Sequence, residues 1–201
     1  TLNKQASQMC SQPLEEGQSL GYTISFSNVG RELPQERELL VEGSRERGVL
    51  IEDPLPANAR LKAGEPLSFA PLQGQLLVQL AGANVDTWQR YADWDGSAVQ
   101  RVGFLVPAAN IQPNQSGEFS FTVTVNRGIT AGTLLFNQAE IDYQGDGQAE
   151  VESNQVCNRV DASQPAQIRF QRPSNAVLEE GTTPRHNDDG DFVDTELYGL
   201  M

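Results

Sequence analysis

From Phe119 to Val125 the chain alternates. Phe119, Phe121, Val123 and Val125 take one parity, and Ser120, Thr122 and Thr124 the other. Such a period of two predicts a half-buried strand. Beyond Gly128 and Gly132 a second run sets Leu135, Ala139, Ile141 and Tyr143 against Gln138, Glu140 and Asp142. The two runs predict a β-hairpin or two neighbouring antiparallel strands, with the Gly145–Gly147 stretch as a tight turn at the far end. Upstream, Leu2, Lys4 and Ala6 suit an edge strand, and Tyr22, Ile24 and Phe26 alternate with Thr23, Ser25 and Ser27. Val49 to Ile51 reads as a strand stopped by Pro54 and Pro56, because proline removes ladder donors. Leu76, Val78 and Leu80, and then Val102, Phe104 and Val106, give two more. The charged stretch 31–47, which holds Leu39 to Val41 before Gly43, reads as an exposed hairpin arm or a loop with one short strand. No window repeats apolar residues convincingly at helical spacing, so the fold class is all-β: strand faces of this kind must be buried against a second sheet.

The length of 201 residues suits one domain with an appendage. We place the domain at 1–160 and a polar linker and tail at 161–201. The tail's composition is too poor in apolar residues to order itself, although Ile168 to Phe170 could form a short strand. A net charge of −13 argues against nucleic acid as a partner, since phosphate binding needs clustered Lys and Arg. Cys10 and Cys157 lie near the two edges of the domain. A bridge between them would close almost the whole of it, an effect on the order of 4–5 kcal/mol, and would fit an exported location; two separate buried thiols are the alternative. No stretch approaches the length of a transmembrane helix and no signal peptide is recognisable. Because the sequence opens at Thr1 instead of Met, a processed chain or a fragment is expected.

The order of several segments carries a resemblance. LNKQAS, EEGQSLGYTISFSNVG, GVLIEDPLP, IQPNQSGEFSFTVTV and LLFNQAEIDYQGDGQAEVESNQV follow one another over residues 1–160. Together they resemble the DUF11 family of repeat domains in bacterial surface proteins. The resemblance implies an immunoglobulin-like antiparallel β-sandwich at the cell surface or in the envelope. It would be a non-enzymatic stalk, filament or adhesin module that self-associates or meets neighbouring domains, assembling through β-strand addition. Surface domains of this kind can also carry a Lys–Asn isopeptide between first and last strands, assisted by a buried carboxylate. Lys4 is the amine such a layout offers, Asn137 or Asn154 the amide, and Asp53 or Glu140 the acid.

Three further groups have chemistry of their own. Trp88, Tyr91 and Trp94 lie among Asp86, Asp93 and Asp95. They could form a platform for a glycan or a surface protein, or simply pack over an edge. In the tail, Asn187, Asp189, Asp191 and Asp194 around Gly190 resemble a thrombospondin type 3 or dockerin-like Ca²⁺ loop. A solvated acidic tail is the alternative, and the twelfth position of an EF-type loop lacks its Glu. Asn114-Gln115-Ser116 fits a glycosylation sequon. The single histidine, His186, lies in the same tail, and the chain has no nucleophile elbow, P-loop, HExxH or CxxC motif, so an enzyme is not expected.

Overall fold

A computed structural model of the chain describes residues 1–64, 68–144 and 148–161, which belong to one compact unit spanning Thr1–Ser163. The Gly145–Gly147 turn, Ile168 to Phe170, His186 and the acidic stretch 187–194 lie outside the described residues. Fourteen strands follow one another among the described residues. The first four are β1 (Leu2–Ala6), β2 (Ser19–Ser27), β3 (Arg37–Val41) and β4 (Ser44–Pro54). Next come β5 (Ala59–Leu61), β6 (Ser68–Ala70), β7 (Gln75–Leu80), β8 (Thr87–Arg90) and β9 (Val99–Val106). The last five are β10 (Ser116–Val125), β11 (Thr133–Asn137), β12 (Glu140–Asp142), β13 (Val151–Glu152) and β14 (Val156–Val160).

The architecture is an all-β sandwich. One sheet runs β1-β2-β10, with β5 and β6 both paired to the far side of β10. The second runs β13-β12-β4 and continues into β9 and β7, while β11 and β14 form a separate two-stranded sheet. Between them lies the main core, where Leu20, Tyr22, Ile24 and Phe26 of β2 and Phe119, Phe121, Val123 and Val125 of β10 meet Val49 and Ile51 of β4 and Val102, Phe104 and Val106 of β9. The period of two read in the sequence is thus the inner face of each strand.

A second core explains the strands buried on both faces. β4 pairs with β3, β3 with β8, β8 with β7, β7 with β9, and β9 returns to β4, so five strands close on themselves. Each contributes to one apolar cluster: Leu39 and Val41, Leu50, Leu77, Trp88 and Leu105. The hairpin expected over 31–47 is present, and only its expected exposure is corrected. Residues 37–54 form the β3–β4 hairpin, turning at Glu42 (φ 50°) and Gly43 (φ 82°), with Leu39 and Val41 facing the second core. β3 and β8 pair in parallel, the one strand ladder of that sense among the described residues.

The expected pairing of the two late runs is also corrected. β10 pairs with β2, β5 and β6, β11 pairs with β14, and β12 pairs with β4 and β13. Alternation states which face is buried, and it is silent about which neighbour completes the ladder.

Trp88 is 2 % exposed and is the largest side chain of the second core. Truncating Trp88→Ala is expected to cost about 3–5 kcal/mol. The drop would appear as a lower urea midpoint, and an unchanged midpoint would contradict the core role.

Candidate functional site

Three polar side chains occupy apolar parities and converge in the main core. Lys4 shares the inner face of β1 with Leu2 and stands opposite Ile24 of β2. Its side chain is wholly buried and Nζ contacts Asp53 Oδ2. Nζ also lies over the Tyr22 ring, 4.5 Å from the centroid, and 5.9 Å from that of Phe121. Asp53 follows Val49 and Ile51 on the inner face of β4 and is fully buried. Asn137 ends β11 on the parity of Leu135 and is 5 % exposed.

The hydrogen bonding at these groups is incomplete. Asn137 Oδ1 accepts from the Gln138 backbone N–H at 2.9 Å. Asn137 Nδ2 and Asp53 Oδ1 are buried without a hydrogen bond of good geometry. The Asn137 amide nevertheless stabilises the Asp53 carboxylate and acts on the Tyr22 phenol, which places it at close range to both. Unpaired polar atoms in a core cost about 1–3 kcal/mol each, so a native pair of them calls for an explanation.

Burial drives the protonation states. It lowers Lys4 from 10.5 to about 8, with the charge of Asp53 opposing the change. It raises Asp53 from 3.8 to about 6, opposed by Lys4 and by hydrogen bonding from Lys4 and Asn137. Tyr22 is pushed up by burial first and by the Asp53 charge second, so its phenol stays neutral. Each shift favours the uncharged form. A neutral pair has a lone pair on Nζ and a proton on Asp53, which is an amine nucleophile in contact with an acid.

The two alternatives to Asn137 and Asp53 are otherwise engaged. Lys4 N–H donates to Asn154 Oδ1 at 2.8 Å and Asn154 Nδ2 donates to Lys4 O at 2.9 Å. One side-chain amide thus completes the outer edge of β1, and it addresses the backbone of Lys4 instead of its amine. Glu140 lies 3.4 Å from Arg101 and acts on Asp53 only through its charge. Arg101 also pairs with Glu52, which in turn faces Arg37 beside Asp142 and Asp86, an ion network of β3, β4, β9, β12 and the turn before β8.

The remaining expectations fall as follows. Cys10 and Cys157 form a disulfide that ties the segment after β1 to β14. Trp88, Tyr91 and Trp94 share no exposed platform, because Trp88 sits in the second core. Tyr91 and Trp94 pack together at 5.8 Å against the main core, with Trp94 Nε1–H donating to Ser97 O. The calcium candidates Asn187, Asp189, Asp191 and Asp194 lie outside the described residues. Among the described ones no group of three His, Cys, Asp or Glu could hold a metal ion. No helix there is long and apolar enough to cross a membrane. Tyr22, Phe121 and the Gln138 N–H escape a reading of the sequence as members of this site. Tyr22 and Phe121 read simply as core, and a backbone donor leaves no trace in composition.

The model of a domain of unknown function, DUF7925, matches residues 27–160. No curated protein matches the chain by sequence. Solved structures similar to it include BcpA, the major pilin subunit of Bacillus cereus, at 15 % identity and TM-score 0.45, covering 80 % of this chain and 40 % of that one. Another is the Corynebacterium diphtheriae major pilin SpaA, whose description points to a modular pilus assembly stabilising isopeptide bonds. It has 14 % identity and TM-score 0.49 over 79 % of this chain and 38 % of that one. A third is the collagen-binding domain of a Staphylococcus aureus adhesin, at 10 % identity and TM-score 0.41 over 80 % and 96 %. The chain thus spans about two fifths of the length of the pilins it matches.

An Asn137→Ala variant leaves Lys4 and Asp53 free to titrate, which fixes the pH dependence of its stability. Between about 8 and 10.5 the folded state has shed the Lys4 proton that the unfolded state keeps, so stability rises with pH there. Between 3.8 and about 6 the folded state holds an Asp53 proton that the unfolded state has lost, so stability falls as pH rises. The variant also lacks the Asn137 hydrogen bond that holds Asp53 down, so its lower limb moves up. Relative to the same variant carrying Lys4→Met and Asp53→Leu, its urea midpoint should therefore be lowest in a window that opens above about pH 6 and closes near pH 8. A relative maximum in that window would refute the assignment.

Proposed function

The chain belongs to the family of the domain of unknown function DUF7925, and we propose that it is a structural module of an exported bacterial surface protein that locks its own fold with a Lys4–Asn137 amide bond. The observation that carries this reading is the convergence of Lys4 Nζ, the Asp53 carboxyl and the Asn137 amide, whose nitrogen lacks a well-formed hydrogen bond, in a buried, aromatic core. Neutral Nζ adds to Asn137 Cγ. As the tetrahedral carbon collapses, the Cγ–Nδ2 bond breaks, and the proton given up by Nζ passes through Asp53 to Nδ2, which leaves as ammonia. No oxidant or cofactor enters the balance. The product also removes one orphan of the precursor, since Nδ2 has gone, and leaves the new amide N–H beside Asp53 Oδ2 where Nζ stood.

A cross-link of the first strand to a late one suits a stalk or filament subunit, in which tension enters at the ends of the domain. The Cys10–Cys157 disulfide is consistent with export. For assembly we favour strand addition at β11, which among the described residues pairs with β14 alone and exposes Leu134 and Phe136. The N-terminal strand is already paired with β2 of its own chain, which leaves the segment Ile168 to Phe170 as the donor. The alternative reading, a ligand module built on Trp88, Tyr91 and Trp94, is weakened by the burial of Trp88.

The intact mass of the folded chain should be lower than the sequence mass by one ammonia, beyond the two hydrogens of the disulfide. Digestion should yield a branched peptide joining Lys4 to Asn137. A full-mass, unbranched chain would end the proposal. With the disulfide intact, the amide closes a ring of residues 4–10 and 137–157, about 28 residues, so its loss in Asn137→Ala should cost on the order of 3–4 kcal/mol and roughly 10 °C of Tm. Truncation after Asp161 should abolish self-association while leaving the sandwich folded; oligomers that persist would exclude the Ile168 to Phe170 donor.

A further inference from the structure

We infer that the backbone N–H of Gln138 is the oxyanion donor of the Lys4–Asn137 reaction, an inference that rests on the self-linkage proposed above. This N–H donates to Asn137 Oδ1 at 2.9 Å. When the Nζ lone pair forms the Nζ–Cγ bond, the carbonyl π pair moves onto that same oxygen. The charge returns to form the new carbonyl as the Cγ–Nδ2 bond breaks and ammonia leaves with its proton from Asp53. The two faces of the Asn137 amide therefore differ. Its oxygen already meets a donor, whereas its nitrogen, the leaving group, has no hydrogen bond of good geometry to surrender.

The donor is held in place before reaction. Gln138 and Ala139 form the short step between β11 and β12. Gln138 Nε2 donates to Ser153 O at 2.6 Å and to Glu152 Oε2 at 3.1 Å, and Ala139 N–H donates to Ser153 Oγ at 2.9 Å. Ser153 is itself buried, at 4 % exposure. A donor fixed by its neighbours pays no reorganisation when charge develops. Attack from the amine side, a proton donor near the leaving nitrogen and a backbone donor on the oxygen are the three elements of an acyl transfer site.

The test follows the mass of the full chain after cell-free synthesis, quenched at intervals, as the species lighter by one ammonia appears. Replacing Gln138 by its α-hydroxy acid turns the 137–138 peptide into an ester, which deletes the N–H and keeps the side chain. Linkage should slow by about a hundredfold. Gln138→Ala keeps the N–H but removes the two side-chain hydrogen bonds that anchor it, and should link more slowly than wild type yet well ahead of the ester chain. The pH profile of the linking rate should keep both limbs in the ester chain, because Lys4 and Asp53 are undisturbed, and its urea midpoint in the Asn137→Ala background should match that of the amide chain. Linkage of the ester chain at the wild-type rate would overturn the donor role while leaving the self-linkage standing. Displaced pH limbs would overturn it too, as signs of a displaced Lys4 or Asp53. A wild-type chain that never loses ammonia would remove the self-linkage and this inference together.

Discussion

The constraint on which the structure depends is the burial of one lysine and one aspartate in the middle of an aromatic core. Lys4 and Asp53 sit on opposed sheets, in contact and without solvent, between Tyr22 and Phe121. A pair of charges there gains its mutual attraction against a desolvation penalty of several kcal/mol per ion, so an apolar pair of the same volume would hold the sheets together at least as well. Stability therefore does not account for it. The proposed linkage would, because the same burial brings the pair towards its neutral form and sets an amide with an unpaired nitrogen beside it.

The surroundings of the pair follow from that demand. β1 is an edge strand with a single neighbouring strand, β2, and its open side is closed at Lys4 by the amide of Asn154 alone. The register of β1 puts Lys4 opposite Ile24 and Leu2 opposite Phe26. A slip by one residue would send Asn3 inward and Lys4 to solvent. A bidentate side chain at that residue thus fixes the one register in which the amine enters the core.

Much of this was legible in the sequence, and the part that was not has a physical reason. The alternation of β2 and β10 identified the inner faces. Each polar member of the site also stands at an apolar parity: Lys4 with Leu2 and Ala6, Asp53 with Val49 and Ile51, and Asn137 with Leu135. What the pattern left open was partnership. Asn154 and Asn137 look alike as candidates, and only the fold turns one towards the Lys4 backbone and brings the other to the Asp53 carboxyl. Trp88 among acidic residues looked like a surface aromatic, since nothing in its own segment reveals that β3, β4, β7, β8 and β9 close around it. The Gln138 donor belongs to the backbone, which carries no side-chain signature at all.

The proposed amide and the disulfide divide one task by chemistry. The disulfide joins Cys10 to Cys157, and the amide would join Lys4 to Asn137, so both tie the first strand's segment to the β11–β14 pair. With the disulfide formed, tension applied across the domain bypasses everything between residues 10 and 157, and the amide adds only the constraint of a small ring. With the disulfide reduced, the amide becomes the whole clamp, holding the closure of a loop of about 134 residues, which on its own stabilises by on the order of 5 kcal/mol. A thiol-dependent link and a thiol-independent one placed over the same strands would shield residues 11–136 from the load whatever the redox state, and with the disulfide reduced the stretch left to extend is the β11–β14 connection, which carries β12 and β13.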